Sequence, residues 1–289
     1  MEGHSTLKAI GRWTAIALLG ALFLFPLYWM VTMSFKPQPE WNPVGKTIWW
    51  PENPTLDNYK QVLGMTNQNT EFFQASSTDA TTFIVHSFIA AGGGTILALV
   101  AGVLAAYGIA RFRAGGRMLP FQILQLRMFP PVAIIIPLLI MLAYIQLFDT
   151  FWGLWLVYAA VTFAFVVWLM RSFFQELPRE IGEAAIVDGC TQWGAFFKAV
   201  LPNVKGGLAA TALFVFILNW SDFVIALVLT TEKTMTAPVF LNSLQSAAAG
   251  QEYGPQAALG LILILPPAIL GLAIQRYLVR GLTFGAIKR

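Results

Sequence analysis

The chain has 289 residues, of which 57% are hydrophobic and only 11% charged; with a mean hydropathy of +0.67 against about 25% charged residues in soluble domains, composition excludes an ordinary soluble protein and indicates an integral membrane one. The net charge of +4 comes from 18 Lys and Arg spread between apolar runs rather than gathered in a patch, which argues against nucleic acid as a partner. A single cysteine, Cys190, excludes an internal disulfide and a thiolate metal site.

The first apolar run, about 13–33, follows Lys8 and Arg12. It is too long for the apolar core of a secretory signal and carries no small-residue cleavage site, so it reads as a retained first helix. From Ser34 to about Thr82 the chain carries Pro37, Pro39, Pro43, Pro51 and Pro54 with Trp41, Trp49 and Trp50. Prolines break helices and tryptophans suit a headgroup interface, which predicts an irregular cap. Gly45-Lys46-Thr47 resembles the end of a phosphate-binding loop, but Glu40 occupies the leading glycine position, so no ATP site is expected there.

Further apolar runs follow at about 83–110, 119–145 and 151–171, each long enough for the roughly 20 residues a crossing needs. Gly92, Gly93, Gly94 and Gly102 in the second run predict close helix packing. His86, near its start, reads as hydrogen-bonded structure rather than as a ligand. Arg127 lies in the third run, and a charge at bilayer depth costs at least about 2.5 kcal/mol, so it must face protein or water.

The polar segment 172–205 is set between two apolar runs. Leu177-Pro178-Arg179-Glu180 starts a helix, with Pro and acidic residues in its first turn. Glu183, Ala184, Ala185 and Asp188 then lead to Gly189, which can end the helix in a left-handed conformation. Thr191 can cap a second short helix ending at Leu201-Pro202. The product is a helix-turn-helix elbow. A fifth run, about 206–230, carries Asn219 and Asp222; a short segment, about 231–255, reads as a surface loop in preference to a hairpin dipping inward. The last run is about 256–279.

Lys and Arg concentrate on one set of connections. Lys8, Arg12, Arg111, Arg113, Arg117, Arg171, Arg179, Lys198, Lys205, Arg276, Arg280, Lys288 and Arg289 alternate with an opposite set holding Lys36, Lys46, Lys60 and Lys233. The richer set belongs inside, which puts both termini and the elbow in the cytoplasm. The expected fold is therefore an all-α integral membrane protein of six transmembrane helices. It forms a single domain over residues 1–289, with a cytoplasmic helix-turn-helix loop between helices 4 and 5. By helical rise Arg127 falls in the inner half and Asp222 in the outer half, about 10 Å apart in depth, which argues against a direct pair. Each has two readings, a polar lining of a solute path or a helix-packing contact.

Glu183-Ala184-Ala185, three residues, Gly189, and Leu201-Pro202 twelve residues on resemble the EAA loop of bacterial ABC importer permeases. Leu56-Asp57-Asn58-Tyr59, Ala105-Ala106-Tyr107 with Arg111-Phe112-Arg113, and Gln275 to Thr283 with Gly285 to Lys288 extend the likeness to the carbohydrate-uptake permeases of the maltose-importer type, in particular the shorter six-span partner. Departures from the pattern are Ala199, Lys205-Gly206-Gly207 and His86-Ser87. The resemblance implies a permease subunit for a sugar or sugar derivative, in the bacterial inner membrane. Its implied partners are a second homologous permease, a dimer of ATP-binding subunits, an extracytoplasmic solute-binding protein and membrane lipid. It further implies that Glu183, Ala184, Ala185, Asp188, Gly189, Leu201 and Pro202 couple to the ATPase, which the tail after Arg280 also touches. This chain itself then binds no cofactor and catalyses nothing, ATP and Mg being held by the partner. The alternatives are an ABC permease for polyamines, amino acids or another solute, which the tail argues against, and a secondary transporter, for which no inverted repeat is evident. A membrane enzyme would need convergent His or carboxylate clusters, and His4 and His86 are far apart in the sequence.

Overall fold

The computed structural model describes residues 3–65, 79–128, 130–246 and 250–284. In chain order the helices are α1 (Gly3–Ser34), α2 (Asp57–Val62), α3 (Ala80–Phe112), α4 (Leu119–Gln125), α5 (Pro131–Tyr144), α6 (Phe151–Glu176), α7 (Glu180–Val187), α8 (Gln192–Ala195), α9 (Leu201–Asn203), α10 (Lys205–Trp220), α11 (Val224–Leu229), α12 (Ala237–Ser243) and α13 (Tyr253–Phe284). Among the described residues, an antiparallel pair of two-residue strands, β1 (Gln245–Ser246) with β2 (Gly250–Gln251), accompanies the helices. Short 3-10 turns cover Gln38–Glu40 and Leu126–Met128, and a π-helical turn covers Phe196–Val200.

Among the described residues, four helices are long and apolar enough to cross a membrane, namely Gly11–Ser34, Ala80–Phe112, Phe151–Glu176 and Tyr253–Gln275. A fifth arises if the bent pair Gln192–Asn203 and Lys205–Trp220, which turns through 78°, counts as one span. The run expected at 119–145 is not one helix. Pro130 takes an extended backbone and Pro131 opens α5, because proline lacks the amide a continuous helix would use. The 14 residues of α5 fall short of the roughly 20 a straight crossing needs. The run at 206–230 is likewise interrupted, at Ser221–Phe223 between α10 and α11.

The chain divides into two compact units, Met1–Thr81 with Leu241–Ile264, and Thr82–Phe240 with Leu265–Arg289. In the first, α1 leaves most of its apolar side chains exposed, and the proline-rich cap is ordered by buried polar groups. Lys36 is only 1% exposed; its ammonium donates to the Ile48 carbonyl and stands 4.4 Å from the centroid of the Trp29 ring. Burial lowers its pKa, and the Glu40 carboxylate partly restores it. Asn58 donates to the carbonyls of Ser34 and Lys36 at 2.8 and 2.9 Å, while Glu40 accepts from the amides of Glu52 and Asn53 at 3.0 and 3.1 Å. The irregular stretches of the cap around the 3-10 turn and α2 are thus held by side chains that satisfy free backbone groups.

In the second unit α6 is the most enclosed span. Its glycine-bearing neighbour α3 approaches it closely: a Cβ on Gly93 would stand 2.2 Å from Trp155, on Gly94 2.6 Å from Tyr158, and on Gly102 2.6 Å from Val166. Gly92 faces open space and takes no part in that contact. Two buried clusters flank this seam. Ala98, Val103, Ala106, Val166, Met170, Phe174, Phe196, Val200, Val204 and Val215 join α3, α6, the π turn and α10. Ala90, Ile135, Leu142, Leu154, Val157, Tyr158, Ile225 and Leu229 join α3, α5, α6 and α11 at the other end.

Candidate functional site

The polar segment folds as two helical arms around a turn. Arg179 caps α7 with its backbone, its carbonyl accepting from Gly182 at 3.0 Å and Glu183 at 3.2 Å, and Glu180 and Glu183 place negative charge at the positive end of the helix. Pro178 lies just before the cap. The helix ends in paired bonds, the Gly189 amide to the Ile186 carbonyl at 2.9 Å and the Cys190 amide to the Ala185 carbonyl at 3.0 Å, with Gly189 at φ +89°. This is a Schellman turn, whose left-handed residue strongly favours glycine. Thr191 then takes extended backbone and accepts from the Gly194 amide at 3.1 Å, capping α8.

The second arm passes through the π turn, where the Leu201 amide reaches back five residues to the Phe196 carbonyl. Pro202 follows at once and has no amide to offer, so the register shift sits where an ordinary α ladder would lose a bond anyway. The chain then swings through 78° into α10.

The second arm buries one side, while α7 has no buried residue and leaves its acidic edge exposed. Phe196 and Val200 enter the core with α3, α6 and α10, and Leu201 packs against it. Glu183, Ala184, Asp188 and Gly189 are exposed, Ala185 is half-buried, and Pro202 is exposed. Beside them Val187 is 87% exposed, Trp193 62% and Phe197 57%, the two aromatic rings stacked at 6.2 Å. An acidic edge next to bare apolar side chains, on a turn of fixed geometry, is a surface suited to docking another protein. The sequence spacing locates this elbow but not Trp193 and Phe197, whose exposure depends on how the second arm packs.

The polar candidates of the apolar runs are placed by other elements than the elbow. Asp222 sits in the break between α10 and α11, where its Oδ2 accepts from the Ala226 amide at 3.1 Å and from the Tyr158 hydroxyl at 3.2 Å. Asn219 is buried and donates to Thr95 Oγ1 at 3.1 Å, tying α10 to α3. Arg127 lies in the 3-10 turn between α4 and α5, with its side chain outside the described residues. His86 bonds the Met235 carbonyl at 3.1 Å through Nδ1 and meets Phe151 edge-on at 5.3 Å. The tail Gly285–Arg289, with Lys288, also lies outside the described residues. Among the described residues no group of three or more His, Cys, Asp or Glu comes together in a way that could hold a metal ion.

Sequence reasoning missed Asp149, in the turn between α5 and α6. Its carboxylate accepts from the Thr231 amide at 2.9 Å, from the Thr234 hydroxyl at 2.6 Å and from the Thr231 hydroxyl. Burial pushes its pKa up, but these donors outweigh burial and hold it below the ordinary carboxylate value. No local signal in the sequence joins positions so far apart.

Known proteins resemble this chain along nearly its whole length. A family model described as "Binding-protein-dependent transport system inner membrane component" matches residues 98–284. The probable ABC transporter permease protein y4oR of Sinorhizobium fredii is 34% identical, over 96% of this chain and 95% of its own. The trehalose transport system permease protein SugB of Mycobacterium tuberculosis is 33% identical over 92% of each chain, and the trehalose/maltose transport system permease protein MalG of Thermococcus litoralis is 32% identical over 99% of each. A crystal structure of a bacterial ABC transporter involved in the import of the acidic polysaccharide alginate matches with a TM-score of 0.77 at 20% identity, covering 96% of this chain and 99% of that one, which establishes a shared fold. The chain, with its multiple apolar helices and its elbow, belongs to the family of binding-protein-dependent transport system inner membrane components.

Proposed function

We propose that the chain is one transmembrane half of an ATP-driven importer for a sugar or sugar derivative, and that the elbow at 172–205 receives the force of ATP hydrolysis. The observation that carries this reading is the exposed Glu183–Asp188 arm ending in the Gly189 turn, joined by that turn to a second arm whose Phe196 and Val200 are built into the core. Relatives named for trehalose and maltose support the sugar. The proposed arrangement is a single domain over 1–289 with six crossings, the broken segments around Pro130 and Ser221 each completing one. Both termini and the elbow lie in the cytoplasm, as the Lys and Arg distribution favours.

The proposed partners are a second homologous permease, a dimer of ATP-binding subunits and an extracytoplasmic solute-binding protein. ATP and Mg belong to the ATPase, so this chain performs no bond chemistry. It moves: closure of the ATPase dimer displaces Glu183, Ala184, Ala185, Asp188, Gly189, Leu201 and Pro202 as a rigid lever, and the spans continuous with it rock between outward and inward access. Asp222 and Asn219 border the interruption in the fifth span. There the Asp222 carboxylate, already an acceptor for Tyr158, is placed to accept from a polyol as well. Arg127 is assigned to the same path for a hydroxyl or anionic group.

The test is a complex of this chain with its permease partner and ATPase in proteoliposomes. The solute-binding protein loaded with trehalose is expected to stimulate ATP hydrolysis and to deliver trehalose into the vesicle. Uptake by this chain with no ATPase present would overturn the reading; hydrolysis that responds to another loaded solute instead would overturn only the sugar.

A further inference from the structure

Two of the three spans that meet at the elbow are joined to it by the chain itself: α6 leads in at Leu177, and α10 leads out beyond Val204. The third, α3, has no covalent link to it. Its last turns nevertheless grip the second arm and the link that leads into the first. Tyr107 and Arg111 are four residues apart and so share one face of α3. The Tyr107 ring lies 4.7 Å from Phe196, in the second arm, and 5.4 Å from Phe174, near the end of α6. One turn on, the Arg111 guanidinium donates to the Leu177 carbonyl at 2.8 Å and to the Pro178 carbonyl at 3.5 Å.

The Leu177 and Pro178 carbonyls lie just past the end of α6, where Leu177 turns to extended backbone and the helical ladder has stopped. A guanidinium satisfies them with charge-assisted bonds of fixed geometry, which are stronger than neutral ones. The aromatic contact and the charge-assisted one therefore hold the second arm and the entry of the elbow to the same stretch of α3.

We infer that Tyr107 and Arg111 are positioning residues for coupling: they make the tip of α3 travel with the elbow, so that three spans rather than two are driven when the elbow moves. The inference rests on the lever reading proposed above. Without these contacts the elbow would pivot on its two covalent stems and leave α3 behind.

The test uses the assembled complex with Cys190→Ser as background and spin labels on cysteines replacing exposed residues. One pair, Ala114→Cys with Lys198→Cys, spans the residues just past α3 and the elbow, both exposed. A reference pair places the second label at the matching elbow position of the permease partner. Distances are measured without nucleotide and with ATP, Mg and vanadate. The reference distance is expected to change while the Ala114–Lys198 distance stays constant. Adding Arg111→Gln should make the second distance change too and lower transport per ATP by about fivefold, with hydrolysis retained and Arg111→Lys restoring part of the loss. Tyr107→Leu carries the same expectation where Arg111→Gln does not assemble. A constant reference distance would overturn the lever itself. A moving reference with an Ala114–Lys198 distance that also moves in the parent protein, or that stays constant in both variants, would overturn only the role of α3.

Discussion

Asp149 carries a left-handed backbone, φ 52°, which Asp tolerates better than most residues, and its carboxylate joins the α5–α6 turn to the segment after α11. Because its folded pKa is lowered, its contribution to stability is present above the ordinary carboxylate value and is lost as pH falls through the depressed folded one. The parent protein should lose about 1 kcal/mol more than Asp149→Asn on acidification from pH 7 to pH 3, a figure discounted for solvent screening at a partly exposed site. Equal pH dependence of the two thermal midpoints, read by tryptophan fluorescence in detergent, would remove Asp149 from that role. Asp222 calls for a different experiment, since Asn keeps an acceptor for Tyr158 and Ala226 and removes the charge. Asp222→Asn is expected to assemble and to retain stimulated ATP hydrolysis while losing uptake; loss of assembly would make it a packing residue. Asp222 stood out in the sequence as a charge in an apolar run. Asp149 did not, because a short polar turn is unremarkable until the fold brings Thr231 and Thr234 to it.

At the scale of elements, the seam between α3 and α6 and the Gly189 turn make contrasting demands on glycine. At Gly102 the backbone is helical and space is the constraint. Gly102→Val should cost about 1–3 kcal/mol by overpacking against Val166, seen as a lower thermal midpoint of the purified chain, and an unchanged midpoint would mean that the helices are not in contact there. At Gly189 space is open and conformation is the constraint. Gly189→Val is expected to strain the turn by about 1–2 kcal/mol and to separate hydrolysis from uptake in the reconstituted complex; normal uptake per ATP would count against a rigid lever. The elbow was legible because its signals are local: a glycine after an apolar-faced helix, and a threonine two residues on. The interruptions in the third and fifth runs were not. Hydropathy averages over a window and is blind both to the missing amides of Pro130-Pro131 and to the short break at Ser221–Phe223, so both pass unnoticed inside otherwise apolar stretches.

For the whole molecule, the charge distribution makes a prediction that no contact in the structure makes. Val44 is fully exposed in the cap, and Cys190 is half-buried at the elbow. A cysteine at Val44, in the Cys190→Ser background, should react with a membrane-impermeant maleimide in intact cells, whereas Cys190 should react only after permeabilisation; the reverse pattern would invert the proposed topology.

Membrane residence, the helical class, the site of the elbow and the family were all readable along the chain. Each depends on composition, on the near-periodic spacing of apolar residues, or on turn chemistry confined to a few neighbours. The number of unbroken crossings, the side of the elbow that is exposed, and the grip of Tyr107 and Arg111 on its entry and its second arm required the fold. They depend on which distant side chains come within a few ångströms of each other, and that follows from packing rather than from spacing.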